Sequence, residues 1–318
     1  MHPRSYREWL FVDKLNVNIP IPENRIPAVE QQALNVPDIF DGYLHLAGTI
    51  RTGYQDHYKL GPHGDKKRQV DIFIAPRRVT SSYLKIDYSP VNVRETGRIL
   101  LGRYLHHLLG DTWLEDFRQG HLTRIDLAFD ARRVAIENLL IEDYAPRDKS
   151  MLYRGEAGEV ETYYFPNKGN KQLVVYDKPQ EQIDTGQVLP SPNHRRAAVT
   201  RFEYRIRGLR GYTLENFIER YSRYENPFND YFVKKFATVT MDRMTPESQR
   251  LFFDACRFRG RENVLAGMKD ESIREACQAY YEALQPPEFF LRRMWLWSGL
   301  RHALDGALPT LRAGGAAS

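Results

Sequence analysis

Tyr176 stands where an apolar run gives way to a charged one, in the segment KQLVVYDKPQEQ. On a strand, its ring would lie on the face opposite to Leu173 and Val175. Lys178 and Glu181 follow closely in the chain. A phenol with an ordinary pKa of about 10 is a poor nucleophile at neutral pH. Beside a lysine and a metal-bound phosphate, it could attack phosphorus and keep the new bond as a phosphotyrosine.

Two other segments carry a carboxylate among arginines at strand spacing. In TRIDLAFD, Asp126 and Arg124 share a polar face, and the alternating apolar residues Ile125, Leu127 and Phe129 share the other face. In TRFEYRIRG, the polar face carries Glu203 and three arginines: Arg201, Arg205 and Arg207. If the two strands are neighbours in one sheet, a divalent cation would relieve the repulsion between the two acids, and oxygen ligands favour Mg²⁺ or Mn²⁺ over zinc. The arginines could hold flanking phosphates of DNA.

Each pattern also has a purely structural interpretation. An alternating strand with an acidic residue is ordinary surface, and Tyr176 is one of 19 tyrosines, which often pack at strand ends. Asp130 could cap the segment that follows its strand. Spacing alone therefore predicts a soluble α+β domain that could bind nucleic acid.

The elements that would position these residues are mixed without regular alternation. Short strands are expected up to about residue 100, a helix over 93–119, and a second helix from about Ala135. From Thr213 onward the pattern is mostly helical. The predicted class is α+β, with an antiparallel or mixed β-sheet, flanking helices and a helical C-terminal region.

The predicted division places a nuclease-type domain in residues 1–244 and the helical C-terminal region in residues 245–318. The C-terminal arginines, such as Arg257 and Arg259, suit either contacts with a DNA duplex or packing against the first domain.

Bulk composition narrows the class of protein. Hydrophobic residues make up 42% of the 318 residues, which is enough for a substantial core. The net charge of +5 and the pI near 9.0 favour an anionic partner. Cys256 and Cys277 form neither a disulfide framework nor a zinc motif, which is typical of a reducing compartment. The N-terminal segment contains no signal-peptide core and no apolar run reaches membrane length, so a cytoplasmic protein without membrane association is expected.

The order of the motifs resembles that in replication initiators of rolling-circle plasmids and filamentous phages. Those proteins carry an RID strand, then a Y-x-K-x-x-E segment, then an R-x-E-x-R strand. Here the three motifs begin at Arg124, Tyr176 and Arg201. The similarity is closest to the phage gene II endonuclease type and its plasmid relatives, and it spans about residues 9–215.

This resemblance implies an origin-specific, metal-dependent endonuclease that nicks one DNA strand and later rejoins it. Tyr176 would be the nucleophile, and Lys178 would contact the scissile phosphate or assist the tyrosine. Asp126 and Glu203 would hold Mg²⁺ or Mn²⁺, with Glu181 as a third carboxylate. The implied partners are origin DNA, as duplex and single strand, and a host helicase. The oligomeric state stays open.

The chain departs from the wider nickase pattern in its histidines. No His-hydrophobe-His motif is present, because His106 and His107 are adjacent and lie in an expected helix. A second tyrosine for strand transfer could be Tyr163 or Tyr164. Two alternatives to a tyrosine nickase remain at this point: a non-catalytic origin-binding regulator, and a metal-dependent nuclease that activates water.

Overall fold

We describe the protein from a computed structural model, which covers residues 10–47, 53–78, 82–143, 151–154, 160–165, 170–186, 198–209, 211–223, 226–291 and 297–311. The strands in these ranges are β1 (Phe11–Ile19), β2 (Leu44–Leu46), β3 (Tyr54–Leu60), β4 (Val70–Pro76), β5 (Leu84–Tyr88), β6 (His121–Arg132), β7 (Leu139–Asp143), β8 (Met151–Arg154), β9 (Val160–Tyr164), β10 (Lys171–Asp177), β11 (Val199–Arg207) and β12 (Tyr231–Lys235). The helices are α1 (Ile26–Leu34), α2 (Pro90–Leu109), α3 (Trp113–Arg118), α4 (Lys178–Asp184), α5 (Leu214–Arg223), α6 (Pro246–Arg259), α7 (Arg261–Ala266), α8 (Glu271–Ala283), α9 (Glu288–Leu291) and α10 (Leu300–Asp305).

The larger sheet has the strand order β2-β3-β4-β5-β1-β6-β11-β10-β9-β8, and β12 pairs with β7 in a smaller sheet. The pairings of β1 with β5 and β6, and of β9 with β10, are antiparallel. Strands and helices are thus mixed in the way that defines the α+β class, and the predicted class is confirmed.

The chain forms two compact units. Unit 1 comprises residues 1–128, 205–224 and 298–318, and unit 2 comprises residues 129–204 and 225–297. Both β6 and β11 contribute residues to each unit. The C-terminal helices α6 to α8 lie in unit 2 with β7 to β10, so the compact units do not follow the predicted boundary at residue 244.

The core of unit 1 lies on one face of its sheet. Strand alternation buries one side of β1, β4 and β5 almost completely, through Leu15, Val17, Ile19, Ile72, Ile74, Leu84, Ile86 and Tyr88. Helix α2 buries Leu101, Tyr104, Leu105 and Leu108 in the same unit. Its first turn is fixed by Ser89, whose hydroxyl accepts from the amide of Asn92, and by Pro90 at the first helical position.

The core of unit 2 is built from helices packed beside β7. Phe252, Phe253 and Cys256 of α6 and Tyr280 of α8 are buried there with Leu140 of β7. Thr245 caps α6, because its side chain accepts from the amide of Ser248. Asp270 caps α8 in the same way. Among the described helices, none combines the length and the apolar character needed to cross a bilayer.

One local prediction is wrong, and two elements were not predicted. A helix was expected from Ala135, but residues 136–138 form a single 3₁₀ turn before β7. The mostly helical region contains β12, which pairs with β7, and the region of short strands contains α1. The apolar residues of β7 fit either period over so short a stretch, and the partner strand about 90 residues away decides between them.

Candidate functional site

Arg124 and Asp126 on β6 form a buried ion pair in unit 1. The guanidinium Nε of Arg124 donates to both carboxylate oxygens of Asp126, at 2.9 and 3.0 Å. Asp126 is only 1% exposed. Removing one member of such a pair would leave a buried charge uncompensated, which is strongly destabilising. A cation at Asp126 would therefore share these oxygens with the guanidinium, which the lone pairs of a carboxylate allow.

The acid and the first arginine of β11 are also buried. Glu203 is 3% exposed, and Arg201 donates to Asp130 through Nε at 2.7 Å and through a terminal nitrogen at 3.0 Å. The strand alternation had suggested that Asp126, Arg201 and Glu203 face outward. That expectation is wrong for these three residues, because residues on both faces of β6 and β11 are buried along this stretch, including Asp126, Arg201 and Glu203 themselves.

The two remaining arginines of β11 are more accessible. Arg205 is half-buried and Arg207, at the strand end, is exposed. Asp130 had been assigned a possible capping role, but its carboxylate instead holds Arg201 in place. This ion pair joins residues that are 71 positions apart in the chain.

Tyr176, Lys178 and Glu181 lie together where β10 passes into α4. The ammonium of Lys178 lies 5.8 Å from the centroid of the Tyr176 ring and 2.6 Å from Oε2 of Glu181. Asp177 between them caps α4, since its carboxylate accepts from the amide of Gln180 at 2.9 Å. Tyr176 is 9% exposed, so its ring is packed at the polar end of an apolar strand. This placement fits a packed strand-end tyrosine as well as a nucleophile held in position.

The two candidate second tyrosines, Tyr163 and Tyr164, lie on opposite faces of the neighbouring strand β9. Tyr176 pairs with Thr162 and Val174 pairs with Tyr164, so Tyr164 lies on the same face as Tyr176. Tyr163 pairs with Val175 and lies on the opposite face, where its hydroxyl accepts from Nε of Arg257 at 2.7 Å. The geometry therefore leaves Tyr164 as the second tyrosine that could work with Tyr176.

The structure thus brings Tyr176, Lys178 and Glu181 together within unit 2, and Arg124 and Asp126 together within unit 1. Within the described ranges, no group of three or more His, Cys, Asp and Glu side chains is arranged to hold a metal ion. Mg²⁺ commonly binds through one or two carboxylates and completes its shell with water and substrate phosphates. The carboxylate oxygens of Asp126, Glu203 and Glu181 are therefore chemically suitable ligands for Mg²⁺. They would leave part of its coordination shell to water and substrate.

Comparisons with known proteins give no family. No family model matches the chain, and no curated protein matches it. Among solved structures, the di-domain ARO/CYC StfQ from the steffimycin biosynthetic pathway is 10% identical at a TM-score of 0.13, covering 86% of this chain and 98% of its own. The di-domain ARO/CYC BexL from the BE-7585A biosynthetic pathway is 9% identical at a TM-score of 0.14, covering 87% and 99%. Likeness at these scores carries no argument about this chain.

Proposed function

We propose that this protein is a rolling-circle replication initiator that nicks and rejoins DNA at an origin through a tyrosine nucleophile. One observation supports the proposal most strongly. The strands that carry the three motifs are consecutive in the sheet order β6-β11-β10, although β10 and β11 are separated from β6 by many residues of chain. A reaction that uses residues of all three motifs requires their strands to be adjacent in this way.

The proposed reaction is a transfer of one phosphodiester bond. The Tyr176 oxygen forms a bond to phosphorus, and the bond from phosphorus to the 3′ oxygen breaks. The phenolic proton is lost and the leaving 3′ oxygen gains a proton, which yields a free 3′ hydroxyl that a polymerase can extend. The bond energy is retained in the phosphotyrosine, so the reverse attack by a 3′ hydroxyl rejoins the strand.

Each remaining site residue has a role in this proposal. Lys178, beside both the ring and Glu181, stabilises the phenolate or the scissile phosphate. Asp126 and Glu203, with Glu181 as a third acid, are the proposed ligands of Mg²⁺ or Mn²⁺, which would polarise the phosphodiester oxygens. Arg124, Arg201, Arg205 and Arg207 are the proposed contacts to flanking phosphates. A cytoplasmic location and a host helicase as partner belong to the same proposal.

The Tyr176→Phe variant tests the nucleophile directly. The wild-type protein and the variant would be incubated with Mn²⁺ and a pool of labelled single-stranded oligonucleotides of random sequence, and then run on a denaturing gel. We expect a labelled protein band for the wild type and its complete loss in the variant, because phenylalanine lacks the attacking oxygen. Tyr43→Phe, which removes an exposed phenol in unit 1, is the matched control and should keep the band.

Other outcomes would select the competing functions. Cleaved oligonucleotide without a covalent band, unchanged in Tyr176→Phe, would indicate a nuclease that activates water. If the protein neither cleaves the oligonucleotide nor forms an adduct, and its DNA binding is unchanged when EDTA is added, it is a non-catalytic regulator.

A further inference from the structure

The sheet of unit 1 has a second face, opposite its apolar core, that is lined by polar side chains. We call it the polar face, and we define it by the register-paired residues Lys14, Asn16, Asn18, His57, Lys59, Asp71, Phe73, Lys85, Asp87, His121, Arg124 and Asp126. The side chains of Asp71 and Lys14 are about one-third exposed, at 33% and 35%, whereas the apolar side of the same strands is almost fully buried. The part of the polar face around Asp71 and Lys14 is therefore open to solvent, whereas Asp126 on β6 is buried.

Most charges of the polar face compensate one another. Asp71 Oδ1 lies 2.9 Å from Nζ of Lys59 and 2.7 Å from Nε2 of His57. Lys14 lies 3.1 Å from Asp87 in the same way. The charges in these pairs are therefore compensated within the polar face, although Oδ1 of Asp87 accepts no hydrogen bond from the described residues.

One cross-strand row is different. Lys85 on β5 pairs in register with Asn18 on β1, which pairs with His121 on β6. In the part of the chain that the structure describes, Lys85 has no carboxylate partner, and its ammonium lies 4.9 Å above the ring of Phe73. The Oδ1 atom of Asn18 and the Nδ1 atom of His121 are both buried, and neither has a hydrogen-bond partner among the described residues. Two such atoms in adjacent positions carry a desolvation cost that a bound ligand would remove.

The chemistry of the row selects the ligand. Lys85 supplies one uncompensated positive charge, which suits a phosphate. Asn18 offers a hydrogen-bond acceptor, and the imidazole of His121 can donate or accept. A nucleotide presents all three complements, namely a phosphate and the donors and acceptors of a base edge. Adjacent strands are about 4.8 Å apart, so the row extends over about 10 Å, which is the scale of a nucleotide.

We propose that Lys85, Asn18 and His121 bind a nucleotide of single-stranded DNA. Arg124 lies on the same polar face, because it pairs with Asn16, two residues from Asn18 on β1. The inference rests on the proposed function, since a strand held on this row would run beside the Arg124–Asp126 pair. It deepens that function by naming where the strand next to the nick is held.

A binding measurement tests the row without requiring catalysis. The probe is a labelled single-stranded thymidine oligonucleotide, followed by fluorescence anisotropy at several salt concentrations. We expect Lys85→Ala to weaken binding at least about fivefold at low salt and to reduce the slope of log K against log salt by about 0.7, the share of one phosphate contact. Lys66→Ala, which removes the same charge from an exposed loop of unit 1, should leave both values unchanged. Lys85→Met, which keeps the stem over Phe73, serves if the alanine variant does not fold.

Asn18→Asp separates an anionic ligand from a cation. The added negative charge should weaken oligonucleotide binding more than Asn18→Ala does, since position 18 pairs with Lys85 and the new charge would lie beside the phosphate held there. Tighter Mn²⁺ binding with unchanged oligonucleotide binding would overturn the proposal, as would Lys85 variants that bind the oligonucleotide like the wild type. If the wild type forms no covalent adduct but its DNA binding depends on Lys85, the proposed nicking activity fails and this inference stands.

Discussion

At the scale of single residues, Arg257 is a positively charged side chain that stabilises the interior of unit 2 through hydrogen bonds. Its side chain on α6 is buried in unit 2, and it donates to the hydroxyl of Tyr163, to Asp254 at 3.1 Å and to the carbonyl of Ile136. The sequence left contacts with a DNA duplex and packing as equal possibilities for this arginine. The contacts decide for packing, because a guanidinium already bound to three groups is not available to a phosphate.

The Arg257→Ala variant should therefore lower the free energy of unfolding by about 3 kcal/mol, since it leaves the Tyr163 hydroxyl and the Asp254 carboxylate without their donor. Urea unfolding followed by circular dichroism measures the change. Arg259→Ala, two residues along on the exposed side of α6, should change the same quantity by less than about 0.5 kcal/mol. Equal effects of the two substitutions would contradict the role assigned to Arg257.

At the scale of elements, the segment after α10 docks against α2 with almost no space between the backbones. The Tyr88 hydroxyl donates to the carbonyl of Ala307 at 2.7 Å, and the Thr310 amide donates to the carbonyl of Arg98 at 3.2 Å. A Cβ atom at Gly102 would lie 2.3 Å from the carbonyl oxygen of Thr310. The close approach thus depends on a glycine in the middle of a helix.

Two effects of Gly102→Ala oppose each other. Alanine raises helix propensity by about 1 kcal/mol, but the overlap with a backbone carbonyl cannot be relieved by a rotamer change and costs about 1–3 kcal/mol. We expect a net loss of thermal stability and faster proteolytic cleavage after residue 298. Gly267→Ala is the control, because its Cβ would meet its nearest neighbour at 3.4 Å, so that substitution should leave cleavage unchanged.

Elements with a clear period were predictable from the sequence. The alternation of apolar residues in β4 and β5 is typical of strands with one buried side, and Thr245 followed by Pro246 is typical of the start of a helix such as α6. Helix α1 and strand β12 were not recognised, because each is short and depends on a distant partner. The same limit applies to the site. The motif strands could be found, but the burial of Asp126 and Glu203 follows from the strands that flank them, which no local pattern encodes.

At the scale of the whole molecule, buried protonated acids link stability to alkaline pH. Burial raises the pKa of the Cys256 thiol to about 12 from its ordinary 9, and that of Tyr280 to about 12 from its ordinary 10. It also raises the pKa values of Tyr88, Tyr104 and Tyr163. Desolvation lowers the pKa of Lys234, which acts in the opposite direction, but a single lysine opposes several phenols and a thiol.

Ionisation of these buried groups makes the folded state less stable as the pH rises. A group whose pKa is raised by folding stabilises the protein fully below its unfolded pKa, and this contribution is lost as pH rises through its folded pKa. The free energy of unfolding should therefore fall from about pH 9 upward, by at most about 1.4 kcal/mol per pH unit for each such group, and the urea midpoint should fall with it. Tyr280→Phe should make the fall shallower, and a midpoint that stays level or rises above pH 10 would contradict this account.

The path of the chain through the two units has a consequence for biosynthesis. Unit 1 contains residues from the beginning of the chain and also residues 298–318, while all of unit 2 is encoded between them. As the polypeptide leaves the ribosome, helix α2 therefore cannot contact the Ala307–Thr310 segment until all of unit 2 has been synthesised. A nascent chain that stalls before that point carries an uncovered helix, and it becomes a substrate for chaperones and proteases even if unit 2 has already formed.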